Sequence, residues 1–237
     1  MTAKKKSPHP DPLPIGVREK KLPMAAPNMR IGLLGGSFNP AQAAHRQISL
    51  TALKRLGLDR VWWLVSPANP LKDAAKLPSL ERRVSAAKEI ASHPRIEVTG
   101  FSGTGKSPYT VDLLAELKRR FPKVNFVWLM GADNLADFHR WQAWPKIFAL
   151  MPIAVLDRPG FRFKARASQA AQRFAGFHVD ESDASGLALL VPPAWTVLSH
   201  PLSNLSSTKL RAKPHKKKAK PEARIYRGRN RQNTASY

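Results

Sequence analysis

The residues best equipped for chemistry lie in GGSFNPAQAAH, residues 35–45. Gly35 and Gly36 lack a Cβ, so the backbone can turn tightly there and come close to a ligand. Ser37, Phe38 and Asn39 follow with amide donors, Pro40 stiffens the entry to a helix, and Gln42 and His45, three apart, share one face of its first turn. A glycine turn, free N–H groups, the positive end of a helix and a histidine together suit an anion, above all a phosphate. A plain strand-to-helix turn with a surface histidine would explain the glycines and the proline but gives the His-bearing turn no purpose.

A second stretch competes for phosphate. GFSGTGKS, residues 100–107, satisfies G-x-x-x-x-G-K-[ST] letter for letter. That loop needs its Lys and Ser in the first helical turn, whereas Pro108 directly follows Ser107 and disfavours the α conformation there. IAVLD, an apolar run closed by Asp157, imitates the acidic strand that accompanies such loops. The first turn remains the stronger phosphate site, and Lys106 is expected to be dispensable.

Positioning these groups falls to alternating elements. RIGLLGG (30–36) reads as a strand, 43–57 as a helix ended by Gly57, 60–67 as a strand, and 79–93 as a helix N-capped by Ser79. Strand RIEVTGF, helix VDLLAELKRRF, strand VNFVWLMG, helical segments through 134–150, strand IAVLD, a poorly patterned stretch 160–190 and strand WTVLS complete the series. Trp62 and Trp63 point to opposite faces of their strand and belong to the core. Strands apolar on both faces, alternating with helices, predict an α/β fold: a Rossmann-like, doubly wound parallel sheet. Ligands of such sheets bind at the carboxyl ends of the strands, where the strand order reverses.

Composition narrows the classes. Of 237 residues 43% are hydrophobic, enough for one domain with a sizeable core. The absence of cysteine removes disulfides, thiolate metal sites and cysteine nucleophiles. No apolar run approaches the roughly 18 to 20 residues of a membrane span, so no membrane partner and a cytoplasmic location are expected. Scattered histidines predict no protein-bound metal; His139 and His200 read as packing or surface residues. The net charge of +24 is half in two basic, Pro-rich segments, 1–29 and 212–237, expected to be disordered tails around a domain at 30–211. Those tails offer at most weak contact with RNA or acidic surfaces, and the remaining excess on the domain suits polyanionic ligands. Oligomeric state is not written in the sequence.

GGSFNPAQAAH resembles the G-x-F-N-P-x-H-x-G-H signature of the HxGH-class nucleotidyltransferases, and LSSTKLR (205–211) is similar to their I-S-S-T-x-x-R. SPYTVDLL (107–114) and GADNLADFHRW (131–141) narrow the resemblance to the nicotinate-nucleotide adenylyltransferases of bacterial NAD synthesis. It covers 30–211 and neither tail. The resemblance implies transfer of AMP from Mg-ATP to nicotinate mononucleotide, with Mg²⁺ arriving on ATP. It implies that Gly36, Ser37, Phe38, His45, Asp133, Ser206, Ser207, Thr208 and Arg211 bind ATP, with His45, Gln42 and Lys72 nearest the reaction. Tyr109, Thr110 and Trp141 would receive the nicotinate nucleotide, Trp141 stacking on the pyridine ring. Gln42 stands where the signature has its first histidine and Ala44 where it has glycine. Glutamine can donate to a phosphate but never carry a positive charge, so a slower enzyme is expected. A related transferase with another acceptor, such as pantetheine phosphate, and an RNA-binding protein acting through its tails are the alternative readings.

Overall fold

The computed structural model describes residues 22–66, 77–100, 107, 109–158 and 160–199. Strands β1 (Arg30–Gly36), β2 (Arg60–Val65), β3 (Ile96–Thr99), β4 (Asn125–Gly131), β5 (Ile153–Leu156) and β6 (Trp195–Leu198) form a single sheet. Every pairing is parallel and the order is β3-β2-β1-β4-β5-β6, so the order reverses between β1 and β4. Parallel neighbours require crossovers, and these carry the helices that cover both faces.

One face is covered by α1 (Ala43–Arg55), α2 (Leu80–Ala91) and a 3-10 stretch at Glu181–Leu189; the buried residues there include Phe38, Ile48, Trp63, Val84, Val127 and Leu187. The other carries α3 (Thr110–Arg120), α4 (Ala132–Ala136), α5 (Trp144–Leu150), α6 (Arg162–Arg166) and α7 (Gln169–Arg173), around Trp62, Leu114, Trp128, Phe138 and Phe148. Trp62 and Trp63 thus lie in different cores, both without exposed surface. In one register Trp62, Leu33, Trp128, Ile153 and Trp195 follow one another across five strands. Burying side chains of this size contributes roughly 1.5–3 kcal/mol each.

The expected elements are present with shifted ends. Ser79 caps α2 by accepting from the Arg82 amide, and α3 begins at Thr110, one residue before the apolar pattern does. The poorly patterned stretch resolves into two five-residue helices and 3-10 turns, started by Ser168 and Asp180, whose side chains accept amides three and two residues on. Of the segment expected as an N-terminal tail, 22–29 are described, and Leu22, Ala25 and Met29 pack against the second core. No described helix is long and apolar enough to cross a membrane.

Candidate active site

The turn after β1 is shaped by packing. A Cβ on Gly35 would stand 2.3 Å from the Trp128 ring, so glycine is required there by the neighbouring strand, while one on Gly36 would meet only ordinary contacts. Phe38 adopts a left-handed φ of 45°, a conformation that costs a non-glycine residue about 1–2 kcal/mol. Its ring is 3% exposed and stacks on Trp63 with centroids 5.0 Å apart, which holds the strained backbone in place. The side chain of Phe38 is therefore core; what the turn offers a ligand is backbone.

α1 then starts with Gln42 as its N-cap residue, extended and nearly fully buried. The Gln42 amide donates to His45 Nδ1 at 3.1 Å, and the His45 amide donates back to the Gln42 carbonyl at 3.0 Å. With Nδ1 accepting, the proton of the neutral ring belongs on Nε2, which is left as the ring's donor. The ring lies 4.9 Å from Phe38 and 5.9 Å from Trp63. Burial, and then the positive charge of Arg158, lower its pKa to about 4, so His45 is uncharged in the free protein at neutral pH. One turn on, Ser49 bridges the His45 carbonyl and the Trp63 indole N–H at 2.8 Å each, fixing the helix on the sheet.

Across the switch point, β4 ends in Gly131 and α4 begins. A Cβ on Gly131 would stand 2.3 Å from Asp133 Oδ1 and 2.9 Å from Arg158 Nε. Its absence lets Arg158, just past the end of β5, reach Asp133 Oδ2 at 3.2 Å. The other oxygen, Oδ1, is buried and has no hydrogen-bond partner among the described residues. Asp157 is 6% exposed and is engaged locally: it accepts the Arg158 amide at 2.7 Å and lies 3.9 Å from Arg162.

The presumed acceptor residues belong to the opposite face of the sheet from His45. Tyr109 is the N-cap of α3 and 37% exposed, its amide bonded to Ser107 Oγ at 3.2 Å, and Thr110 is the first helical residue. Trp141 closes the 3-10 turn Phe138–Arg140, half-buried, its ring 5.0 Å from Phe138. α1 and α3 thus begin on opposite faces of the sheet, with His45 on one and Tyr109 and Thr110 on the other.

This arrangement matches known proteins. The fold is shared with the solved "Plasmodium falciparum nicotinic acid mononucleotide adenylyltransferase complexed with NaAD", at TM-score 0.57 and 19% identity over 78% of this chain and 83% of that one. Residues 33–213 match the cytidylyltransferase-like family. A "Probable nicotinate-nucleotide adenylyltransferase" of Methylorubrum extorquens (strain PA1) is 56% identical over 185 residues, 78% of this chain and 100% of its own. One of the same name from Bradyrhizobium sp. (strain ORS 278) is 55% identical over 183 residues, 77% of this chain and 95% of its own. The chain belongs to the nicotinate-nucleotide adenylyltransferase family.

For a member of that family, the structure gathers Gly36, Ser37, Phe38, Gln42, His45 and Asp133 at the carboxyl ends of β1 and β4. Lys72, Ser206, Ser207, Thr208 and Arg211, with residues 101–106 of the loop that imitates an ATPase motif, lie outside the described residues. His139 is exposed, as a surface residue should be. Two cations close to these residues escaped the sequence reading. Arg158 was signalled only by its place after an apolar strand. Arg83, on the outer turn of a helix full of charges, was signalled by sharing the stripe of Ala87 and Ala91, four and eight residues on, which is buried.

Proposed function

We propose that this enzyme transfers AMP from Mg-ATP to nicotinate mononucleotide, giving nicotinate adenine dinucleotide and pyrophosphate. The observation that carries the reading is the convergence, at one switch point, of an anion-binding turn, an uncharged His45 with Nε2 as donor, and the Asp133–Arg158 pair. The name its relatives share, nicotinate-nucleotide adenylyltransferase, supplies the substrates.

In-line attack by the acceptor 5′-phosphate on the α-phosphorus needs no covalent nucleophile. It needs alignment and neutralisation of charge spreading over phosphate oxygens. The Ser37 and Phe38 amides and the N-terminus of α1 hold the triphosphate, and His45 donates through Nε2. As negative charge arrives beside the ring its pKa rises, so the same histidine takes up more positive character when the phosphates need it. The family resemblance assigns Lys72, Ser206, Ser207, Thr208 and Arg211, outside the described residues, to the same nucleotide. Asp133 Oδ1 accepts a ribose hydroxyl, and Arg158 keeps that carboxylate in place while adding a cation to the crevice. Tyr109 and Thr110 bind the nicotinate nucleotide, with Trp141 against the pyridine ring. Mg²⁺ enters as part of the substrate, held by phosphate oxygens and water. Gln42 bonds through its backbone to His45, so the missing histidine leaves the remaining one correctly oriented and the enzyme active. Purified protein supplied with Mg-ATP and nicotinate mononucleotide should release pyrophosphate; no release with any mononucleotide acceptor would overturn the assignment.

A further inference from the structure

Arg83 is a guanidinium only 3% exposed, behind the phosphate turn. Its Nη1 donates to the Ser37 carbonyl at 2.8 Å and to the Ser66 carbonyl at 2.7 Å, and its Nε donates to the Pro78 carbonyl at 3.0 Å. Ser66 in turn donates its amide to the Gly36 carbonyl at 2.9 Å. Two successive carbonyls of the turn, those of Gly36 and Ser37, are therefore tied back to β2 and α2.

In a planar trans peptide the N–H points opposite to the C=O of the same unit. The unit holding the Gly36 carbonyl carries the Ser37 amide, and the unit holding the Ser37 carbonyl carries the Phe38 amide. Fixing the carbonyls aims the Ser37 amide away from the Ser66 amide and the Phe38 amide away from Arg83, and among the described residues neither has an acceptor. Successive unpaired amides form an anion-binding concavity. We infer that Arg83 is a positioning residue for nucleotidyl transfer: it holds the Ser37 carbonyl, which aims the Phe38 amide at the phosphates, and through the Ser66 carbonyl it steadies the residue whose own amide holds the Gly36 carbonyl behind the Ser37 amide. The inference rests on the adenylyl-transfer reading for its kinetic consequence, though not for its geometry. Arginine is needed because a planar fork serves three carbonyls from fixed directions, whereas a lysine ammonium is a single point on a flexible stem.

The test compares wild type with Arg83→Lys and Arg83→Met, using amide NMR spectra both to verify folding and to follow Ser37 and Phe38 as inorganic pyrophosphate is added. In wild type both resonances should move. In folded Arg83→Lys pyrophosphate should bind about tenfold more weakly and kcat/KM for ATP should fall about 10- to 100-fold, the scale of a misaligned reacting group. KM for nicotinate mononucleotide should stay within about twofold, since that nucleotide is held across the crevice. If Arg83→Lys matches wild type, or loses both substrates equally, the inference is overturned. It is also overturned, whatever the variants do, if the wild-type amides ignore pyrophosphate. If they respond while the wild type transfers no AMP to nicotinate mononucleotide, the reaction is wrong and the role of Arg83 stands.

Discussion

His45 links the site to pH. Its folded pKa of about 4 lies below the ordinary 6.5 because burial and Arg158 disfavour the charged ring. As pH falls, the unfolded chain takes up this proton first. The stability associated with the neutral ring is therefore whole above pH 6.5 and is lost progressively down to about pH 4, a total on the order of 3 kcal/mol. His178, lowered by burial and then Arg166, acts in the same direction. Urea unfolding at pH 7 and pH 5 should show a large difference for wild type and a smaller one for His45→Gln; equal differences would contradict the neutral, buried ring. For catalysis, His45→Ala should cost on the order of 10²-fold or more in kcat/KM, the scale of one lost charge-stabilising group, and Lys106→Ala should cost little. The reverse order would return the phosphates to the GFSGTGKS loop. The legibility of these residues followed their spacing. Gln42 and His45 could be paired from sequence because helix geometry is local, whereas Arg83 and Arg158 acquire their roles from strands and carbonyls distant in the chain.

Elements hold the site through glycines at strand ends, and here the physical reason differed from the sequence reading. Gly35 was expected to admit a ligand, but the atom that excludes a side chain is in Trp128 of the adjacent strand. Gly35→Ala must push that ring against Leu33 and Ile153 of its layer and should destabilise by about 1–3 kcal/mol, the usual cost of overpacking. Thermal unfolding measures it, and an unchanged midpoint would mean that the turn, not the packing, selects glycine. Gly131→Ala should instead act on function: with Asp133 and Arg158 displaced, KM for ATP should rise several-fold while KM for the acceptor changes less. Long helices were legible because their apolar period persists over several turns, and strands because each is a short β-rich apolar run. The 160–190 stretch was not, since five-residue helices and 3-10 turns are too short to establish a period and depend on caps such as Ser168 and Asp180.

At the scale of the whole molecule, the proposed reaction would set the two substrates against opposite faces of the doubly wound sheet, and a net charge of +24 favours the approach of a polyanion such as ATP. Raising salt should therefore lower kcat/KM for ATP more than kcat, because steering and initial binding are screened and the bound geometry is not. A salt-independent kcat/KM would leave the charge without a part in substrate capture. The order of strands was legible only as a class, because parallel pairing follows from alternation while the β1–β4 neighbour relation is a long-range choice. The central claim is the acceptor as well as the fold. It is tested most directly by pyrophosphate release from Mg-ATP with nicotinate mononucleotide, nicotinamide mononucleotide and pantetheine phosphate in parallel. The account predicts the highest kcat/KM for nicotinate mononucleotide; release with pantetheine phosphate alone would contradict it.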